Sequence, residues 1–364
     1  MPKVLIPTDD QSCTTSGLAD GYRSLGWEVA TGALNFKLRA AHYDAVHYQW
    51  PEEYTGWQRP PKEHQIAEIE DCVKWWASRA ASIFTVHNLY PHAGVGNPAF
   101  HDLYSCFYRH CHVISHFSHT SHRLVLEEFP DACKSRHVVH YPESHEVMLV
   151  RQRQRGSRRA EMNIRDDEFV ILMLGQLRSW EEIELIMRAY DLAKIPKKRL
   201  LMAGKTIVCA ETWQTRLRLR GWDWWLKRRG AVVDTTWVPE DELSRFLDSS
   251  DVSIVPRLAG LNSAIIFSAM TFGRMIIAPN CGAYPEHLAG TRNLLYQPGD
   301  ATSFASKLEE AAALGTDDIG RENAVVASKW SPQERCRVCL EAAANLHLFS
   351  KDRTEASTPD CAQA

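Results

Sequence analysis

Glycine turns, basic residues and histidines recur at the places in this chain where buried strands should end. Gly175-Gln-Leu-Arg178 follows the apolar run Phe169–Leu174, and Gly204-Lys205 follows Arg199–Ala203. Gly260-Leu-Asn262-Ser263 opens a helical pattern, and Gly282-Ala-Tyr-Pro-Glu286 follows the run Met275–Pro279. Such residues suit an anion: guanidinium and ammonium groups carry the countercharge, and the backbone amides of a helix start near Asn262 and Ser263 point at the ligand. Asn262 and Ser263 would equally cap a helix that binds nothing, and Arg178 would equally serve as an exposed loop residue. In the first half, His87 ends the run Ser82–Val86 and Glu52 follows Ala45–Gln49. Either side chain has the chemistry of a general base, and a histidine in such a place is also often structural.

These residues need a scaffold that brings strand ends together. In both halves short apolar runs alternate with helical patterns, which predicts parallel βαβ units and an α/β fold with ligands at the carboxyl ends of the strands. Ser16-Gly17 is read as part of the first βα loop, where backbone approaches a ligand closely. Arg151-Gln-Arg-Gln-Arg-Gly-Ser-Arg-Arg159 has no apolar period and reads as a loop beside an interdomain linker. We therefore expect a Rossmann-like acceptor-binding domain over 1–150 and a second Rossmann-like, ligand-binding domain over 151–330. A helix over 331–348 should pack back toward the first domain, ahead of a disordered tail over 349–364.

Bulk composition excludes other classes. A chain of 364 residues exceeds one ordinary core, and 45% hydrophobic with 24% charged residues is a globular balance. A net charge of −3 gives no global attraction to nucleic acid. No apolar run approaches the roughly 20 residues needed to span a bilayer. The N-terminal apolar stretch is too short for a signal peptide, so a cytoplasmic location is expected. The 10 cysteines should then be reduced, with Cys336 and Cys339 two small residues on one helix face. His112, His116, His119 and His122 run from a strand into a helix and should not converge on one point, so no metal is expected. Between Trp213 and Arg229 tryptophans and arginines interleave. That composition suits either an anionic membrane interface or an amphipathic helix whose tryptophans cover the core.

Taken together, Gly175-Gln-Leu-Arg178, Val255-Pro-Arg-Leu-Ala-Gly-Leu-Asn262-Ser263, Phe272-Gly-Arg-Met-Ile-Ile-Ala-Pro279, Gly282-Ala-Tyr-Pro-Glu286 and the loop His87-Asn-Leu-Tyr-Pro-His92 resemble the GT-B glycosyltransferases of the broad family 4 type. Within that type the closer resemblance is to bacterial enzymes of exopolysaccharide assembly, including the β-mannosyltransferase-like group, and it runs to about His347. It implies two Rossmann-like domains facing across a cleft, and no cofactor or metal beyond the nucleotide-sugar donor. It implies transfer of a hexose from GDP-mannose or a UDP-sugar to a polyprenyl-diphosphate-linked oligosaccharide at the inner face of the cell membrane. Gly175, Arg178, Lys205, Asn262, Ser263, Gly282 and Glu286 would bind the donor, and Ser16, Gly17, Asn88, His92 and His116 the acceptor, with His87 or Glu52 as base. Two departures stand out. Gly260 and Ser268 occupy positions where retaining members carry glutamates, which tilts the expectation toward inversion. Glu181 and Glu182 occupy positions where members carry lysine and then glycine, and a carboxylate repels a diphosphate. The alternative reading is a non-catalytic homologue that binds a glycan or a partner protein.

Overall fold

The structure is a computed structural model that describes residues 1–10, 12–57, 60–91, 96–140, 155–204, 212–234, 238, 240–346 and 348. His92, Lys205, the tail 349–364 and residues 151–154 of the expected linker lie outside the described residues. The described strands form two six-stranded parallel sheets. The first contains β1 (Lys3–Ile6), β2 (Glu28–Thr31), β3 (Ala45–Tyr48), β4 (Ala81–Val86), β5 (Val113–His116) and β6 (Arg136–Val139), in the order β2-β1-β3-β4-β5-β6. The second contains β7 (Phe169–Leu174), β8 (Lys198–Ala203), β9 (Val232–Asp234), β10 (Val252–Ile254), β11 (Met275–Pro279) and β12 (Leu294–Tyr296), in the order β12-β11-β10-β7-β8-β9. Central strands such as β3, β4 and β11 are buried along their whole length, as helices on both faces of a parallel sheet require, and so read as unbroken apolar runs.

The chain divides into two compact units, Met1–Glu143 with Trp330–Ala364, and Ser144–Lys329. In the first unit the helix Pro332–Ala344 lies on the helix Cys13–Ser24, and Cys336 and Cys339 are fully buried in the core beside Leu18 and Tyr22. The second unit's core joins β7, β10 and β11 to the helices Trp180–Leu192 and Ala301–Leu314, with Trp222 and Trp225 among the buried residues. Among the described residues no helix is long and apolar enough to cross a membrane.

Two local expectations fail. The arginine-rich stretch is not all loop: Arg155–Glu161 is helical, and Arg159 is buried, pairing with Asp251 at 2.6 Å and donating to the carbonyls of Ser249 (3.1 Å) and Glu168 (3.2 Å). Its partners lie up to 92 residues away, so no local pattern announces them. The first helix begins at Cys13, which places Ser16 and Gly17 inside it rather than in the βα loop. The turn before it is built instead on the Asp10 carboxylate, which accepts from the Ser12 amide at 3.2 Å and the Thr15 hydroxyl at 2.9 Å.

Candidate anion site at the ends of β7 and β10

In the second sheet the chain leaves β7 toward β8 on one side, while β10 continues toward β11 on the other. Neighbouring strands whose connections depart in opposite directions leave a crevice beyond their carboxyl ends, the usual ligand position of an open α/β sheet. The loops Gly175–Ser179 and Val255–Ser263 line that place. Gly175, at φ 89°, turns the chain out of β7. Farther along, Gly282 has φ 56° and packs so closely that a Cβ there would lie 1.8 Å from the Gly260 carbonyl oxygen. The Ala283 amide donates to Leu261 O at 3.0 Å, so the Gly260 and Gly282 loops form one piece. A Cβ on Gly260 would in turn meet the Tyr284 hydroxyl at 2.5 Å. Steric closeness thus explains why this position carries no glutamate: any side chain would have to displace Tyr284.

The charges fall into a defined set. Ser179 caps the helix Trp180–Leu192 by accepting from the Glu182 amide. The buried Glu182 carboxylate accepts from the Arg178 amide at 2.7 Å and from Arg257 Nη1 at 2.7 Å, while Arg257 Nη2 donates to Gln176 O at 2.8 Å. Glu182 is therefore neutralised by Arg257, and the repulsion expected of it is absent. Glu181 is mostly solvent-facing on the same turn. Arg178 is different. Its guanidinium is half-buried and, among the described residues, has no hydrogen bond or ion pair. Burial, then the nearby Arg257, lowers its pKa to about 10, with Glu182 and Tyr284 opposing. Burial also pushes the Tyr284 hydroxyl up to about 12. Two guanidiniums thus stand beside one carboxylate that pairs with Arg257 alone, so the set carries one excess positive charge.

The remaining donor-side candidates sit around this set. Ser263 occupies the N-cap position of the helix Ala264–Thr271, yet its hydroxyl makes no capping bond; Asn262 beside it is half-buried. Glu286 is half-buried in the short helix Tyr284–His287. Arg257 was not anticipated as a ligand-site residue, although its signal lay in the sequence, three residues past the end of β10.

The first unit is built differently. Its crevice lies between β1 and β3. There Glu53 accepts from the Thr8 hydroxyl and the Asp9 amide, both at 2.6 Å, and the Tyr54 hydroxyl donates to Pro7 O at 2.8 Å. Glu52 is buried and accepts from the Tyr104 hydroxyl at 2.7 Å; burial raises its pKa. One strand over, His87 is half-buried at the end of β4, stacked on Trp50 at 4.5 Å. The Gln49 amide nitrogen donates to Tyr48 O at 3.1 Å, so Gln49 Oε1 faces His87 Nε2 at 2.9 Å as acceptor. The ring proton is thereby assigned to Nε2, which makes Nδ1 the basic nitrogen. Arg335, from the helix Pro332–Ala344, reaches the same Gln49 oxygen at 3.1 Å and Thr85 Oγ1 at 3.2 Å. Burial, then Arg335 and His140, hold His87 well below the ordinary histidine range, and so neutral. Asn88 is half-buried beside it.

His116 is fully buried within a chain of neutral groups. His137 Nε2 donates to Ala132 O at 2.8 Å, so its Nδ1 accepts from His116 Nε2 at 2.8 Å, and His116 Nδ1 faces the Ser121 hydroxyl at 3.1 Å. Burial lowers His116 to about 2 and His137 to about 4. His112 turns elsewhere, accepting from the Ser82 amide at 3.1 Å. Among the described residues no three His, Cys, Asp or Glu side chains are placed to hold a metal ion.

Residues 168–313, which contain the whole Arg178–Glu182–Arg257 set, match the family described as Glycosyl transferases group 1. No curated protein matches the chain in sequence. Among solved structures the chain is similar to sucrose-phosphate synthase from Thermosynechococcus elongatus, at 15% identity and TM-score 0.71 over 95% of this chain and 98% of that one. It is similar to a glycosyltransferase from Rickettsia africae ESF-5, at 15% identity and TM-score 0.69 over 96% and 99% of the two chains. It is also similar to HepE of Anabaena in complex with UDP-glucose, at 14% identity and TM-score 0.67 over 95% and 100%. The two parallel six-stranded sheets are those of the GT-B fold.

Proposed function

We propose that this protein is a glycosyltransferase that holds a nucleotide sugar by its diphosphate at the carboxyl ends of β7 and β10. The observation that carries this reading is the half-buried Arg178 guanidinium, which makes no hydrogen bond or ion pair among the described residues and stands beside a second guanidinium at the sheet's ligand position. A buried cation in that setting is stabilised by a bound anion, and arginine matches phosphate oxygens geometrically. The segment match to Glycosyl transferases group 1 and the likeness to HepE with UDP-glucose support the nucleotide-sugar class.

In this reading the acceptor oxygen forms a bond to the anomeric carbon as the bond from that carbon to the diphosphate oxygen breaks. Charge then develops on the departing nucleoside diphosphate. Arg178 and the amides at the start of the helix Ala264–Thr271 stabilise it, and Arg257 fixes the Gly175–Arg178 turn by holding Gln176 O. These groups supply the countercharge without a metal ion. The acceptor hydroxyl's proton passes to a base. His87 suits the role better than Glu52, because its ring is part-exposed at the end of β4 whereas Glu52 is buried against Tyr104. The absence of a carboxylate at Gly260 favours inversion. By resemblance, the donor is GDP-mannose or a UDP-sugar and the acceptor a polyprenyl-diphosphate-linked oligosaccharide of exopolysaccharide assembly.

A non-catalytic homologue was suggested by Glu181 and Glu182, and the pairing of Glu182 with Arg257 removes much of its motive. The direct test is release of nucleoside diphosphate from UDP- and GDP-hexoses with lipid-linked sugar acceptors. Acceptor-dependent release supports transfer; donor binding with no release from any acceptor would support the non-catalytic homologue.

A further inference from the structure

The helix Trp213–Arg228 has two unlike faces. Trp222, Trp225 and Leu226 are buried in the second unit's core, with the Trp222 and Trp225 rings stacked at 5.2 Å. On the other side Trp213 is 70% exposed, and Leu217 and Trp224 are each 60% exposed. At about 100° per residue these three fall within an arc of roughly 40°, a stripe about 16 Å long. Arg216, Arg220, Lys227 and Arg228 border it within roughly 60° on either side, and all four are exposed. The Arg228 guanidinium lies over the Trp224 ring at 5.3 Å. Asp223 is the helix's only acid.

We propose that this face is a docking surface for an anionic lipid membrane. Large aromatic side chains pointed into water gain little from that position, but at a lipid headgroup boundary the indole and its N–H are both satisfied. The bordering arginines and lysine have the reach to lie along the stripe and place their charges among lipid phosphates. Charge selects the occupant. A second copy seated on the same face across a two-fold axis would bring four cations against four. The aliphatic Leu217 between the two tryptophans suits acyl chains. The helix would lie in the membrane plane, with Trp222 and Trp225 still in the core. The inference is independent of the transfer chemistry, so either can fail alone.

The test is flotation of the full chain with phosphatidylcholine vesicles, with and without phosphatidylglycerol, while following tryptophan emission. Binding to the anionic vesicles with a blue shift is expected, along with weak binding to neutral ones. The Trp213→Ser/Leu217→Ser/Trp224→Ser variant should bind roughly ten-fold more weakly and lose the shift. The Arg220→Glu/Lys227→Glu/Arg228→Glu variant should bind on the order of a hundred-fold more weakly. Both variants should keep the parent's circular dichroism and donor affinity. Equal binding by the parent and either variant, equal binding to both vesicle types, no binding to either, or tighter binding to single-stranded RNA than to anionic vesicles would overturn the proposal.

Discussion

The two sheets share a parallel, doubly wound plan, but their ligand positions are filled in opposite ways. In the first unit the crevice between β1 and β3 is bridged by the chain's own groups, with Glu53 tying Thr8 and Asp9 together and Tyr54 tying Pro7. The half-buried His87 and the buried His116, farther along the sheet, are held neutral. In the second unit the crevice between β7 and β10 holds two guanidiniums and one carboxylate, and Arg178 keeps its donors. The same architecture thus yields loops tied by the chain's own groups beyond β1 and β3, and a guanidinium that keeps its donors beyond β7 and β10. An unbalanced buried charge is costly to the free protein, which is why it marks a ligand site more sharply than a satisfied network does.

The contrast can be broken at its strongest point first. Removing Glu182 with Glu182→Ala leaves Arg257 buried without its partner and should destabilise the second unit by about 3–5 kcal/mol, read by urea denaturation. A smaller loss would mean that the pair does not organise the site. Arg178→Ala should weaken nucleotide-sugar binding roughly thirty- to hundred-fold, with thermal stability unchanged or raised, because no protein partner is lost. An Arg178→Ala protein that keeps its donor affinity would transfer the phosphate role elsewhere.

Acid sharpens the comparison from the other side. His116 and His137 have folded-state values of about 2 and about 4, below the ordinary 6.5. Protonation therefore favours the unfolded chain. Their contribution is fully present above pH 6.5 and is lost as pH falls from there, through about 4 for His137 and about 2 for His116. A loss on the order of 2 kcal/mol is expected from the His137 step by pH 4, and hydrogen exchange should find it in the first unit before the second. Equal acid sensitivity in both units would dissolve the distinction. The smallest effect belongs to Glu52→Gln, which weakens one buried bond to Tyr104. About 1 kcal/mol of stability should be lost and transfer should persist; loss of transfer in a folded Glu52→Gln protein would make Glu52 rather than His87 the base.

What the sequence disclosed follows from the range of the forces involved. Phe169–Leu174 could be read to the residue, because a strand buried on both faces needs an unbroken apolar run. Arg178 could be found because it follows such a run and a glycine. Arg257 stood at an equivalent strand end but had no role until Glu182 and Gln176 were seen to converge on it from 75 and 81 residues away. Arg335 was beyond reach for the same reason: its Gln49 contact spans 286 residues. The three-residue strand β12 carries too few positions for a period to register. The misplaced Ser16 and Gly17 reflect a boundary set by Asp10, whose turn begins the helix earlier than the glycine suggested.

The most direct test of the account is calorimetric titration of the full chain with a panel of UDP- and GDP-sugars, free UDP and free GDP. The unbalanced charge at Arg178 and Arg257 predicts saturable one-to-one binding to at least one member, weakened by added salt and lost together with the diphosphate when the free nucleoside is substituted. Well-folded protein that binds no member of the panel, or binds the nucleoside as tightly as its diphosphate, would contradict it.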